Sequence, residues 1–194
     1  MATGNLGNYP SVSDIDSPKI DIEKAYAKWY DTCLDMCLKL TMPNFALARA
    51  IVAQDASAPA FGYEFNYAKP ASCLKVLGVG DIQDKENNYA VEGDFILHDT
   101  DYTDGMPVRY IKRITTVSKY TPDFVLLLAQ FLAAYVCLEI TQDTGKAKKL
   151  KDELPTEISV SSGLNAQENR PVRISNSRFR AARYSPNPNF ESKK

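Results

Sequence analysis

The chain has 194 residues, with 23 Lys/Arg, 24 Asp/Glu, one histidine and a formal net charge of −1. This length predicts a single domain with extensions, and the charge balance excludes nucleic-acid binding driven by bulk charge. The charges are unevenly placed, however. Residues 1–154 carry 16 Lys/Arg and 21 Asp/Glu, whereas residues 155–194 carry 7 and 3, so an acidic body precedes a basic tail.

The first 17 residues combine Gly, Pro, Asn and Ser with little apolar material, so 1–17 is predicted to be a flexible arm. They lack the basic and apolar regions of a secretory leader, so no signal peptide is predicted. Ser17 and Pro18 then form a helix start signal. Between Ile22 and Leu40, apolar residues recur at spacings of four and three, which predicts an amphipathic helix of about six turns.

The middle of the chain changes from a helical period to an alternating one. A short helix is predicted from Pro43 to Gln54, with Phe45 on its apolar side. Between Phe61 and Tyr67 the hydrophobic period becomes two, which predicts a strand with an aromatic face. Leu74 to Val79 is predicted to be a second strand.

Three further strands follow. Tyr89–Glu92 and Phe95–His98 flank Gly93-Asp94, a dipeptide suited to a tight hairpin. Val108 to Ile114 predicts the last strand. The polar runs 81–88 and 99–107 between these strands are predicted loops.

A strongly apolar helix is predicted from Tyr120 to Asp143. It opens with Thr121 as a capping residue, Pro122 in the first turn and Asp123 at the positive end of the helix dipole. About 20 nearly unbroken apolar residues are expected of a membrane span, and polar residues interrupt this run. We therefore predict the central core helix of a globular domain and no membrane partner.

A charged helical segment, Lys146 to Leu154, is predicted next, and Pro155 is expected to end regular structure. This places a core domain at 18–154 and an extended tail at 155–194. The tail has too little apolar material for a core of its own. Its best functional signal is a set of interleaved arginine and aromatic residues: Arg178, Phe179, Arg180, Arg183 and Tyr184.

Residues with catalytic or metal-binding chemistry form no convincing constellation. The cysteines lie in apolar patterns that predict buried free thiols, and no spacing favours a zinc site. His98 has no nucleophile partner in the pattern and is predicted to be an exposed strand residue. The sequence therefore predicts no enzyme, no metal and no cofactor. The cysteines are Cys33, Cys37, Cys73 and Cys137.

An acidic run, Asp99, Asp101, Asp104 and Gly105, resembles the beginning of a calcium loop. The glycine is one position late, and Tyr110 stands where a bidentate glutamate belongs. A solvated loop is the favoured interpretation.

Strands grouped between helices predict an α+β fold. We expect two long helices and a short helix, a small antiparallel sheet or hairpins, and an extended C-terminal tail.

The chain contains a series of apolar and aromatic runs: Ala25-Tyr26, Trp29-Tyr30 and Cys33-Leu34; Pro43 to Arg49; Gly62 to Pro70; Cys73 to Val79; Tyr89 to Leu97; Val108 to Ile114; Phe124 to Ala133; Asn165 to Glu168; and Ala182-Arg183. In their order and separation these runs resemble the tail tubular protein A family, the head-to-tail adaptors, or gatekeeper rings, of short-tailed bacteriophages. The resemblance covers roughly residues 15 to 183. The family usually has a further N-terminal helix, for which residues 1–14 are too polar.

The resemblance implies a virion protein at the head–tail junction, assembled in the host cytoplasm and forming a homo-oligomeric ring of about twelve copies. Such a ring docks below the portal, extends the DNA channel and offers a platform to the next tail ring or nozzle protein. Genomic DNA would pass through the lumen without sequence-specific binding.

Two roles remain open for the basic aromatic tail. As part of a ring adaptor, Arg178, Phe179, Arg180, Arg183 and Tyr184 would anchor the tail on a neighbouring subunit or the portal. As part of a nucleic-acid-binding module, they would instead stack on bases and contact phosphates. The loops 81–88 and 99–107 are candidate contacts with the next ring.

Overall fold

The structure, a computed structural model, describes residues 21–80 and 88–168, and its fold is α+β as the sequence predicts. The α-helices are α1 (Asp21–Thr41), α2 (Pro122–Thr141) and α3 (Thr144–Gln167). The strands are β1 (Leu47–Val52), β2 (Phe65–Ala68), β3 (Cys73–Val79), β4 (Tyr89–Glu92), β5 (Phe95–His98) and β6 (Met106–Lys112). The start of the first helix at Ser17 and the whole 1–17 arm lie outside the described residues.

Helix α2 lies at the centre of a three-helix bundle and is buried along most of its length, as its composition predicts. Its one acidic residue beyond the first turn, Glu139, faces α1. There it accepts a hydrogen bond from the Lys28 ammonium at 2.6 Å and another from the Trp29 indole N–H at 3.1 Å. Trp29 also packs against Tyr135, with 5.3 Å between ring centroids. Polar and aromatic contacts therefore both join α1 to the core helix.

By length and composition, α2 is the one helix in the described ranges that would be able to cross a membrane. Within this fold, 56% of its apolar segment is buried against the rest of the protein, in agreement with a core helix. Thr121 is its N-cap residue, but the hydroxyl makes no capping bond. The first helical hydrogen bond runs from the Val125 N–H to the Thr121 carbonyl, at 3.0 Å.

Helix α3 corrects the prediction that Pro155 ends regular structure, because the helix continues to Gln167 with Pro155 inside it. Proline removes one N–H donor and leaves the carbonyl four residues earlier, that of Lys151, without its helical partner. Both residues are exposed, so water can reach that carbonyl. The predicted boundary between core and tail at residue 155 therefore falls within a helix.

The second half of α3 is held by hydrogen bonds as well as apolar packing. The Ser161 hydroxyl contacts Asp123 at 3.2 Å, and the Asn44 amide donates to the Asn165 carbonyl at 2.9 Å. Ser161 and Asn165 are buried polar residues. They continue the inward side of α3 that Leu154 and Ile158 begin. Because this part of the inward side is polar, a search for apolar residues at helical spacing does not reveal it.

The strands form two antiparallel three-stranded sheets, ordered β1-β6-β3 and β2-β5-β4. The second strand, the tight hairpin and the last strand are confirmed. The predicted short helix from Pro43 to Gln54 is wrong, because only Asn44–Ala46 forms a single 3-10 turn and β1 follows. All six residues of β1 pair with β6, and this long-range pairing overrides the local helical pattern.

The strand predicted between Phe61 and Tyr67 begins only at Phe65. Gly62 has φ +89°, which breaks an extended chain, and β5 is long enough to pair only with residues 65–68. Phe61 is consequently 87% exposed.

The two sheets stack on each other and enclose a second core, which includes Val52, Tyr67, Ile96 and Met106. The helices cover part of the outer face of sheet β1-β6-β3. There Leu47 and Ile111, which are register partners, belong to the helical core. Farther along the same strands the helical cover ends, and the sheet face becomes open.

Candidate interaction surface

An open groove lies on the outer face of sheet β1-β6-β3, beyond the part that the helices cover. Arg49, Arg109 and Gly78 occupy the same level on three adjacent strands. One level farther, Ile51 pairs with Pro107. The groove has a volume of about 380 Å³, and its lining consists of Arg49, Ala50, Ile51, Gly78, Gly80, Pro107, Val108 and Arg109.

Alternation along β1 and β6 explains how these side chains reach the groove. In β1, Ala48 and Val52 face the second sheet, so Arg49 and Ile51 point outward. In β6, buried Val108 faces the second sheet and Arg109 points outward. Ile51 is 74% exposed, so a large aliphatic side chain lies open beside the two arginines.

The two arginines form a concentrated positive charge without a compensating partner in the described part of the chain. Like charges directly opposite each other on paired strands repel and destabilise the pair. Arg49 and Arg109 nevertheless face each other in register, and neither forms an ion pair there. By contrast, Arg113 at the end of the same strand contacts both Asp31 and Asp35 at 2.7 Å. The groove is thus suited to an external group with negative charge.

Gly78 leaves the floor of the groove open. A Cβ atom at this position would meet no heavy atom within 4 Å, and its φ is ordinary. A larger side chain here would enter the groove without straining the backbone.

The acidic loop, residues 99–105, joins the two sheets between β5 and β6. The Tyr67 hydroxyl accepts a hydrogen bond from the Tyr102 N–H and donates one to the Thr100 carbonyl, both at 2.9 Å. Asp99, Asp101 and Asp104 are exposed. No group of three potential metal ligands occurs among residues 21–80 and 88–168.

His98 corrects the prediction of an exposed strand residue, because its side chain is only 5% exposed. It belongs to β5, the middle strand of its sheet, and its Nδ1 accepts a hydrogen bond from the Thr100 N–H at 2.8 Å. Burial lowers the pKa of His98, and the nearby Asp99 charge partly opposes that shift. The imidazole therefore organises the acidic loop.

The predicted buried thiols are confirmed for Cys33, Cys37 and Cys137, while Cys73 is half-buried. Burial raises the pKa of Cys33 to about 12, and burial followed by the charge of Cys33 raises that of Cys37. Since the thiolate is the nucleophile, these thiols are poorly reactive at neutral pH.

The predicted tail anchors Arg178, Phe179, Arg180, Arg183 and Tyr184 lie outside the described residues, as does most of the predicted loop 81–88. The sequence pattern does not reveal the Arg49–Arg109 pair, because it places Arg49 in a helix, where it has no cross-strand neighbour. Residues 47–52 are apolar except for Arg49 and show no alternation, so this segment alone gives no signal for the pairing with β6.

Comparison with protein-family models finds no match, and comparison with curated proteins finds no matching sequence.

Proposed function

We propose that the chain is a non-enzymatic structural subunit of a connector ring at the head–tail junction of a short-tailed bacteriophage. The observation that carries this proposal is the open groove, where Arg49 and Arg109 lie beside exposed Ile51 on an acidic body. Arginine beside apolar surface is typical of protein–protein interfaces, and arginine is enriched in them. The resemblance to tail tubular protein A supplies the kind of assembly.

The proposed ring contains about twelve copies, docks below the portal and carries the next tail component. Its lumen would conduct genomic DNA without reading sequence. Residues 1–154 carry 16 Lys/Arg against 21 Asp/Glu, and such an excess of carboxylates around a lumen would repel phosphates and let the duplex slide.

The basic aromatic tail serves in this proposal as an anchor on a neighbouring subunit or the portal. Arg178, Phe179, Arg180, Arg183 and Tyr184 supply the residue types that dominate binding energy at interfaces. Segments that order only on a partner cover much surface per residue.

Truncation after Glu168 tests the tail. This cut, unlike one at Pro155, preserves the part of α3 that contacts Asp123 and Asn44. We expect the truncated protein to keep its thermal transition and to lose incorporation into particles. A second variant keeps the full chain and replaces the five anchors with alanine. It should show the same loss of incorporation. Normal incorporation of both variants would contradict the anchor role.

Nucleic-acid binding is the second candidate, and the Arg49–Arg109 pair is the observation that favours it. Phosphate contacts release counterions, so log affinity falls against log salt with a slope of about −0.9 per contact. Binding of duplex and single-stranded DNA should therefore be measured across salt concentrations. A steep slope that disappears in an Arg49→Ala/Arg109→Ala variant would favour this function over the ring.

A further inference from the structure

The groove and the acidic loop are complementary surfaces of the same chain. The groove presents two arginines in register on β1 and β6. The loop presents Asp99 and Asp101, both exposed and separated by one residue. None of the ion pairs in the described ranges joins the loop to the groove.

The number of charges fits simultaneous contact. Arg49 and Arg109 lie directly opposite each other, where Cα atoms on antiparallel strands are about 4.5–5.5 Å apart, and the long arginine side chains can spread beyond that distance. Asp99 and Asp101 are separated by one residue. Each guanidinium can take one carboxylate, a geometry that often gives two parallel hydrogen bonds.

The loop is already ordered for such a contact. Thr100, between the two aspartates, is held by His98 on its N–H and by Tyr67 on its carbonyl. Its backbone is therefore fixed while the neighbouring carboxylates remain exposed. Little conformational entropy would be lost when the loop binds.

The loop and the groove are different surfaces of the chain. The loop connects β5 of one sheet to β6 of the other, whereas the groove lies on the outer face of sheet β1-β6-β3. Gly105, the last residue of the loop, lies against Ile51 of the groove. A contact between two different surfaces of neighbouring copies is head-to-tail, so it repeats and can close into a ring.

We propose that the Arg49–Arg109 groove of one copy binds the Asp99–Asp101 segment of the next copy. This inference rests on the proposed ring function and names the contact that builds the ring. The exposed Ile51 packs against the incoming loop and shields the ion pairs from water, which strengthens them.

Two charge-reversed variants test the contact. The groove variant carries Arg49→Glu and Arg109→Glu, and the loop variant carries Asp99→Lys and Asp101→Lys. Either variant alone brings like charges together, so its self-association measured by analytical ultracentrifugation should weaken about 100-fold or more. An equimolar mixture should recover assembly, because each reversed groove then meets a reversed loop in an alternating ring.

Matched controls separate this contact from a change in net charge. Lys148→Glu/Lys149→Glu and Asp152→Lys/Glu153→Lys make the same charge changes at exposed positions of α3 and should assemble as the wild type does. Gly78→Phe adds a steric test, since its side chain enters the groove from unstrained backbone. It should weaken self-association while the thermal transition stays unchanged.

The outcomes distinguish this inference from the ring itself. Wild-type rings together with unimpaired assembly of both reversed variants would overturn the groove–loop contact and leave the ring standing. A wild-type protein that stays monomeric at all concentrations, both alone and mixed with the portal, would overturn both proposals. A groove variant that assembles normally but loses DNA binding would identify a phosphate site and overturn the contact.

Discussion

At the scale of single residues, three glycines differ in whether their backbone and surroundings would accept a side chain. Gly105 has φ +92°, and a Cβ there would lie 2.6 Å from the Ile51 Cγ2 atom. Gly93, in the hairpin turn, has φ +57° but open space around it. Gly78 has both ordinary φ and open space. Gly105 therefore combines steric clash with backbone strain, Gly93 has backbone strain alone, and Gly78 has neither.

Alanine at each glycine should give a graded loss of stability. Gly105→Ala is expected to cost about 2–3 kcal/mol, because clash adds to a positive φ. Gly93→Ala should cost about 1 kcal/mol through strain alone. Gly78→Ala should be neutral or slightly stabilising. Urea denaturation measures all three, and an equal loss at Gly105 and Gly78 would contradict the described packing of the loop on β1.

His98 makes a specific contribution to the pH dependence of stability. Its pKa is lowered from 6.5 in the folded protein, first by burial, so the unfolded chain binds a proton more readily. Stability should therefore fall as pH drops below about 6.5 and continue to fall down to the lowered folded pKa. His98→Asn keeps an acceptor for the Thr100 N–H and should reduce this fall, as urea midpoints between pH 7 and pH 5 would show. If the stability of His98→Asn fell with pH as much as that of the wild type, the contribution assigned to His98 would be contradicted.

At the scale of secondary-structure elements, local patterns predicted the helices that bury a continuous apolar stripe and the strands joined by a tight turn. They failed where contacts distant in sequence decide the structure. The segment Leu47–Val52 has helical spacing but pairs along its whole length with β6. The groove followed from that pairing, so neither its arginine pair nor its open floor was predictable from one segment alone.

Helix α3 shows the same limit. Its inward side after Pro155 uses Ser161 and Asn165: the Ser161 hydroxyl donates to Asp123, and the Asn165 amide donates to the Ser161 carbonyl. In the sequence alone, a proline followed by polar residues at these positions suggests the end of a helix. The contacts with α2 and with Asn44 are what make the longer helix stable.

The continuation of α3 can be tested by substitution and hydrogen exchange. Proline in an exposed helix interior costs about 3 kcal/mol relative to alanine. We expect Pro155→Ala to stabilise the protein by about 1–3 kcal/mol. Amides between residues 159 and 165 should be protected in both proteins. Fast exchange of those amides in the wild type would instead show that the helix ends at Pro155.

At the scale of the whole molecule, a bundle built on α2 packs on sheet β1-β6-β3 and covers only part of its outer face. The uncovered part carries cationic and apolar side chains, whereas residues 1–154 as a whole have more carboxylates than cations. A lone subunit therefore exposes both a basic groove and acidic surface. In the proposed ring, each copy would cover the groove of its neighbour.

The most direct test of this account is electron microscopy of the purified full-length protein, alone and mixed with its portal. The account predicts closed rings of uniform symmetry with about twelve subunits, coaxial with the portal. Particles that are only single subunits under both conditions, with no ring bound to the portal, would contradict it.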